Sequence, residues 1–116
     1  MALRFSEICV DAHDPTSLGT WWAEVLGWRH EIDADGDVEL HAPAGAGPNW
    51  IFLAVPDDKV VKNRLHLDFT PDDQQAEVAR VIALGARHVD IGQGEQSWVV
   101  LADPEGNEFC ILAARD

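Results

Sequence analysis

The stretch Leu26-Gly27-Trp28-Arg29-His30 returns as Leu84-Gly85-Ala86-Arg87-His88, 58 residues later (84 − 26) in a chain of 116. An amphipathic run precedes the Leu-Gly each time. The first goes from Asp14-Pro15-Thr16-Ser17-Leu18 through Trp21, Trp22, Val25 and Leu26; the second goes from Thr70-Pro71-Asp72-Asp73 through Val78, Val81, Ile82 and Leu84. Each opens with a capping residue and proline, carries acids early and stops at glycine, with apolar residues at the spacing of one helical face. Strand-like stretches precede both helices, Phe5–Asp11 and Arg64–Phe69. Three more follow each helix: 29–32, 37–41 and 49–55 in the first half, then 88–91, 97–101 and 108–113 in the second. Gly, Pro, Asn and Asp fill the breaks, as turn chemistry requires. The pattern is β-α-β-β-β written twice. It predicts an α+β fold of two tandem βαβββ modules, 1–57 and 58–116, inside one domain, because the Pro56-Asp57-Asp58-Lys59 joint is too short to separate independent domains.

Charge narrows the partners. Twenty-one acids face eight Lys and Arg, a net charge of −13. The phosphates of DNA, RNA or an anionic bilayer would be repelled, so no nucleic-acid or membrane partner is expected. No apolar run reaches the roughly 18–20 residues of a membrane span. The beginning, Met1-Ala2-Leu3-Arg4-Phe5, lacks the basic-then-apolar order of a secretory signal, and two cysteines make no disulfide framework. A cytoplasmic protein is the expectation.

Strand alternation then assigns faces. Ile8 and Val10 form a packing set on the first strand, leaving Phe5, Glu7, Cys9 and Asp11 opposite. Leu65, Leu67 and Phe69 pack in the second half, leaving Arg64, His66 and Asp68. On the last strand Phe109 and Ile111 pack, leaving Glu108 and Cys110. On the fourth, Ile51, Leu53 and Val55 are read as packing, which leaves Trp50 and Phe52 on the mixed face. Large aromatics are poor solvent residues, so that mixed face is read as lining a cavity, with a solvated sheet face as the plainer alternative. His13, His30, His41 and His88 sit at element ends and are expected at the surface. Asp33, Asp35 and Asp37 around Gly36 read as a hairpin turn.

The paired modules, Trp-Trp-Ala-Glu-Val-Leu-Gly-Trp (21–28), Arg-Leu-His-Leu-Asp-Phe (64–69) and Asp-Pro-Glu-Gly-Asn-Glu-Phe-Cys-Ile-Leu (103–112) resemble the vicinal oxygen chelate superfamily. That group holds glyoxalase I, extradiol dioxygenases, fosfomycin-modifying enzymes and bleomycin-resistance proteins. The resemblance covers essentially the whole chain, most closely the small glyoxalase-like domains. It implies a homodimer and a curved mixed sheet forming a cup, with helices outside and a small-molecule ligand inside. It does not imply one activity.

Enzymes of the superfamily hold a divalent metal at four strand positions, which fall here on Glu7, Phe52, His66 and Cys110. The set departs from the family pattern at three of them: Glu7 replaces a frequent His, Phe52 cannot coordinate, and Cys110 replaces a Glu. Glu7, His66 and Cys110 are the only ligands left for a Zn, Ni, Mn or Fe ion, so the expectation is a cup without a firm metal. Glu7 and His66 are the candidate catalytic pair. Trp50, Phe52, Asp68, Glu108 and Cys110 are the candidate ligand-binding residues. Two functions stay open: a lyase or isomerase of glyoxalase type with an atypical or absent metal, and a non-catalytic drug binder of bleomycin-resistance type, for which an acidic aromatic cup would suit flat cations.

Overall fold

In the computed structural model, which describes residues 2–114, the chain divides into two compact units, Met1–Asp58 and Lys59–Asp116. Among the described residues, each unit has one helix and four strands in the expected order. The first comprises β1 (Glu7–Ala12), α1 (Pro15–Leu26), β2 (Arg29–Ile32), β3 (Val38–His41) and β4 (Asn49–Ala54). Its sheet runs β1-β4-β3-β2, with β1 and β4 parallel and the other pairs antiparallel.

Local sequence sets these boundaries. The Asp14 carboxylate accepts the Ser17 N–H at 3.1 Å and caps α1, with Pro15 at the first helical position. The first turn of α1 carries no acid beyond that cap, contrary to the sequence reading. Gly27 takes φ 70°, which only glycine adopts freely, and ends the helix. Between β2 and β3 the Asp33 carboxylate accepts the N–H groups of Asp35 (2.8 Å) and Asp37 (3.1 Å), the hairpin turn that the aspartates predict.

The second unit comprises β5 (Leu67–Phe69), α2 (Gln74–Leu84), β6 (Arg87–His88), β7 (Val99–Ala102) and β8 (Glu108–Ile111), ordered β5-β8-β7-β6. Here β5 and β8 are the parallel pair. The helix starts later than its Thr-Pro signal: Asp73 is the cap, accepting from Ala76 N–H at 3.1 Å. Strands are shorter than the alternation predicts. The 88–91 strand shrinks to two residues because Asp90 accepts from Gly92 N–H and Gln93 from Ile91 N–H, both at 2.8 Å, and these side chains replace ladder partners. Ahead of β8, buried Asp103 accepts the N–H groups of Glu105 and Asn107 and the Asn107 side-chain amide, building the Asp-Pro-Glu-Gly-Asn turn.

Each unit buries its helix-facing sheet surface. In the first, Leu18, Trp21, Trp22 and Ala23 of α1 meet Val38, Leu40, Trp50 and Phe52. In the second, Val81, Leu101, Phe109 and Ile111 are buried, and Phe69 meets Phe109 edge-on with ring centroids 6.0 Å apart. The register between first and last strand is the same in both. Glu7 pairs with Asn49 and Leu67 with Phe109, each 42 residues apart (49 − 7 and 109 − 67).

Candidate functional site

The second unit gathers the most chemistry in the smallest space. Parallel pairing of β5 with β8 sets Asp68 opposite Cys110, both on the face turned away from the packed Leu67, Phe69, Phe109 and Ile111. His66 immediately precedes β5 and places Nε2 3.3 Å from Asp68 Oδ1. One ligand-type atom from each of His66, Asp68 and Cys110 lies within 4.8 Å of the others. His66 and Asp68 are exposed, whereas Cys110 is only 4% exposed.

Burial decides the state of the thiol. Desolvation, then the Asp68 charge and the hydrogen bond that the thiol donates to Asp68, push Cys110 up to about 11, against a smaller pull from Lys62. At neutral pH the sulfur therefore carries its proton. It is not a poised nucleophile, because the thiolate is the reactive form.

Glu108, the other acid expected on this face, is occupied otherwise. Its carboxylate accepts from Lys59 Nζ at 2.7 Å and from Asn63 N–H at 2.9 Å, with the side chain 10% exposed. Burial alone would raise its pKa, but the Lys59 and Asn63 hydrogen bonds together with the Lys59 charge outweigh it and hold the group below its usual value. Glu108 thus ties the 59–63 segment to β8 and is not free to meet a ligand.

In the first unit the β4 face assignment is reversed. Trp50 and Phe52 are 4% and 0% exposed, and Trp50 stacks among Trp22 (5.3 Å), Trp28 (6.0 Å) and Phe52 (6.1 Å) between ring centroids. The cause is register: Ile8 pairs with Trp50 and Val10 with Phe52, so they share the helix-facing side. Ile51 and Leu53 take the other face, alongside Glu7, Cys9 and Asp11, which are exposed. Trp50 and Phe52 are core residues and not the ligand contacts that the alternation predicts. Glu7 stays on the helix-free face of the first unit, at the start of β1.

Of the four positions that the resemblance marks for a metal, Phe52 offers no ligand. Phe52 lacks a lone pair and lies on the helix side. Sequence reasoning also missed His41, expected at the surface but only 22% exposed in its side chain. Counting outward from the Asp33–Asp37 turn would have found it, because that turn pairs Glu31 with Glu39 and Arg29 with His41.

Residues 7–112 match the sequence model of the glyoxalase-like domain. The chain belongs to that family. The vicinal oxygen chelate fold inferred from its motifs is therefore the fold observed, and solved structures share it over nearly the full length of the chain. A glyoxalase/bleomycin resistance protein/dioxygenase family enzyme from Burkholderia phytofirmans is 20% identical, with 91% of this chain and 94% of that one covered and a TM-score of 0.70. TnmS3, an antibiotic-binding protein from a Streptomyces species, is 18% identical, with 99% of each chain covered and a TM-score of 0.66. The fosfomycin resistance protein FosX from Mesorhizobium loti is 14% identical, with 99% and 94% covered and a TM-score of 0.72. At these identities the likeness concerns the fold. No curated protein matches the sequence. Among the described residues, no helix of this glyoxalase-like domain is long and apolar enough to cross a membrane.

Proposed function

We propose that this glyoxalase-like domain binds a small organic molecule without transforming it, and that Asp68 is the anchoring contact. One observation carries the reading. Asp68 stands exposed on the sheet face opposite Leu67 and Phe69, with the His66 imidazole 3.3 Å away and the buried Cys110 sulfur within 4.8 Å. An exposed carboxylate flanked by a second polar side chain favours a cationic or hydrogen-bond-donating ligand. The antibiotic-binding Streptomyces relative supports a binding role for the fold. Two free cysteines accord with a reducing, cytoplasmic setting, and the family resemblance supports action as a homodimer, which sedimentation can read.

A thermal-shift panel of flat organic cations and neutral isosteres tests the proposal. Cations are expected to raise the midpoint, and Asp68→Asn to remove most of that rise. A rise that is unchanged in Asp68→Asn, or one equal for neutral isosteres, would refute it. The second reading, a lyase or isomerase of glyoxalase type, draws on the His66–Asp68 pair at 3.3 Å as an acid–base couple. Turnover of a bound ligand that disappears in His66→Gln while binding persists would favour it.

A further inference from the structure

On the opposite half of the sequence the β2–β3 hairpin makes a second cluster. The register sets Glu31 opposite Glu39 and Arg29 opposite His41, and alternation turns all four away from buried Val38 and Leu40. Two glutamates placed directly across an antiparallel pair repel each other, so something must offset that arrangement. The imidazole of His41 lies between them, its Nε2 at 3.4 Å from one oxygen of each carboxylate. Yet Nε2 is a buried nitrogen with no hydrogen-bond partner among the described residues.

The placement of one imidazole nitrogen equidistant from two carboxylates suits a shared cation. A charge-assisted N–H···O bond would close to about 2.7–2.9 Å. Neighbouring ligand atoms around a tetrahedral ion with bonds of about 2.0–2.1 Å stand about 3.3 Å apart. The 3.4 Å separations match the second spacing, and the three ligand atoms all lie within 4.8 Å of one another. Arg29 approaches the same Glu31 oxygen only loosely, at 3.8 Å, from an exposed position, and can swing aside.

We propose that Glu31, Glu39 and His41 form a binding site for a zinc-class divalent transition-metal ion. The imidazole disfavours Mg²⁺ and Ca²⁺, because those ions prefer oxygen alone. Three protein ligands leave a fourth coordination position for water or a small anion. The site shares no residue with the four positions that the family resemblance marks, so it stands apart from the reading of His66, Asp68 and Cys110.

The test titrates tag-free, chelator-stripped full-length protein with Zn²⁺ by calorimetry and with Co²⁺ by visible absorption. Expected are one Zn²⁺ per chain, intense tetrahedral Co²⁺ bands and no uptake of Mg²⁺. Glu39→Gln and His41→Gln should each weaken Zn²⁺ binding at least about tenfold, whereas a His66→Ala/Cys110→Ala variant should bind as the parent does. Glu31→Gln, at an exposed position, supplies the same result should His41→Gln fail to fold. No Zn²⁺ uptake, binding that survives both glutamate variants, or binding lost with His66 and Cys110 would each overturn the assignment.

Discussion

Replacing Gly19 with alanine probes the closest approach between helix and sheet in the first unit. A β-carbon there would lie 2.5 Å from Val38 Cβ and 2.8 and 3.0 Å from its two methyl carbons. Val38 cannot retreat: it is 0% exposed, and its backbone is paired with Ile32 on one side and Phe52 on the other. On an unobstructed helix, Gly→Ala gains about 1 kcal/mol. Overpacking a filled core costs about 1–3 kcal/mol, and a contact between two rigid β-carbons belongs at the upper end. The expected net effect is a loss of about 1–2 kcal/mol, opposite in sign to what propensity alone gives. Urea unfolding followed by tryptophan emission suits the measurement, since Trp21, Trp22, Trp28 and Trp50 all lie in this unit and only Trp98 in the other. With a slope of about 1–2 kcal/mol per molar urea, the midpoint should fall by roughly 1 M. Thr20→Ala, on the exposed side of the same helix, should leave it level or raise it slightly. A Gly19→Ala protein as stable as the parent, or more so, would refute the argument that α1 and β3 are held at glycine distance.

Two further outcomes follow from the second unit. Glu108→Gln should cost about 2 kcal/mol at pH 7, because the lost charge leaves Lys59 and Asn63 with a weaker acceptor. The native carboxylate titrates below its ordinary 4.5, so this stability is present above that pH and lost as pH falls through the folded value; the gap between parent and variant should therefore close in acid urea titrations. Thiol labelling at pH 8 should modify exposed Cys9 quickly and buried Cys110 only on unfolding. Since the folded thiol titrates near 11 against 9.0 unfolded, its contribution to stability is complete below pH 9 and declines between those values, and fast labelling of both cysteines at pH 8 would contradict this.

The doubled βαβββ order was legible because its signals are local. Asp14-Pro15 opens a helix, Leu-Gly closes one, and Asp33 and Asp103 each fold a turn around their own carboxylate. The face of β4 was misread for a non-local reason. Asn49–Ala54 is apolar at nearly every position, so alternation cannot choose a side, and only pairing with Ile8 and Val10 turns Trp50 and Phe52 inward. The same limit applies to Glu108, whose partner Lys59 lies 49 residues away and leaves no trace in spacing. By contrast Asp68 and Cys110 share a face as the alternation predicts, since Leu67, Phe69, Phe109 and Ile111 alternate around them, whereas Leu65, expected to pack, is exposed because the strand begins only at Leu67.

The strand order β1-β4-β3-β2, repeated as β5-β8-β7-β6, has a consequence for the chain as it is being made. In each unit the strand synthesised last is inserted between the first and third, so it occupies the interior of the sheet. Until β4 leaves the ribosome β1 has no sheet neighbour, and until β8 does neither has β5. A nascent unit can form its helix and hairpin early, but it stays open along its middle up to its final few residues. Truncation just short of residue 49 or residue 108 should therefore not trim an edge. It should remove the sole partner of the first strand, leaving a fragment that quality-control proteases recognise as unfinished.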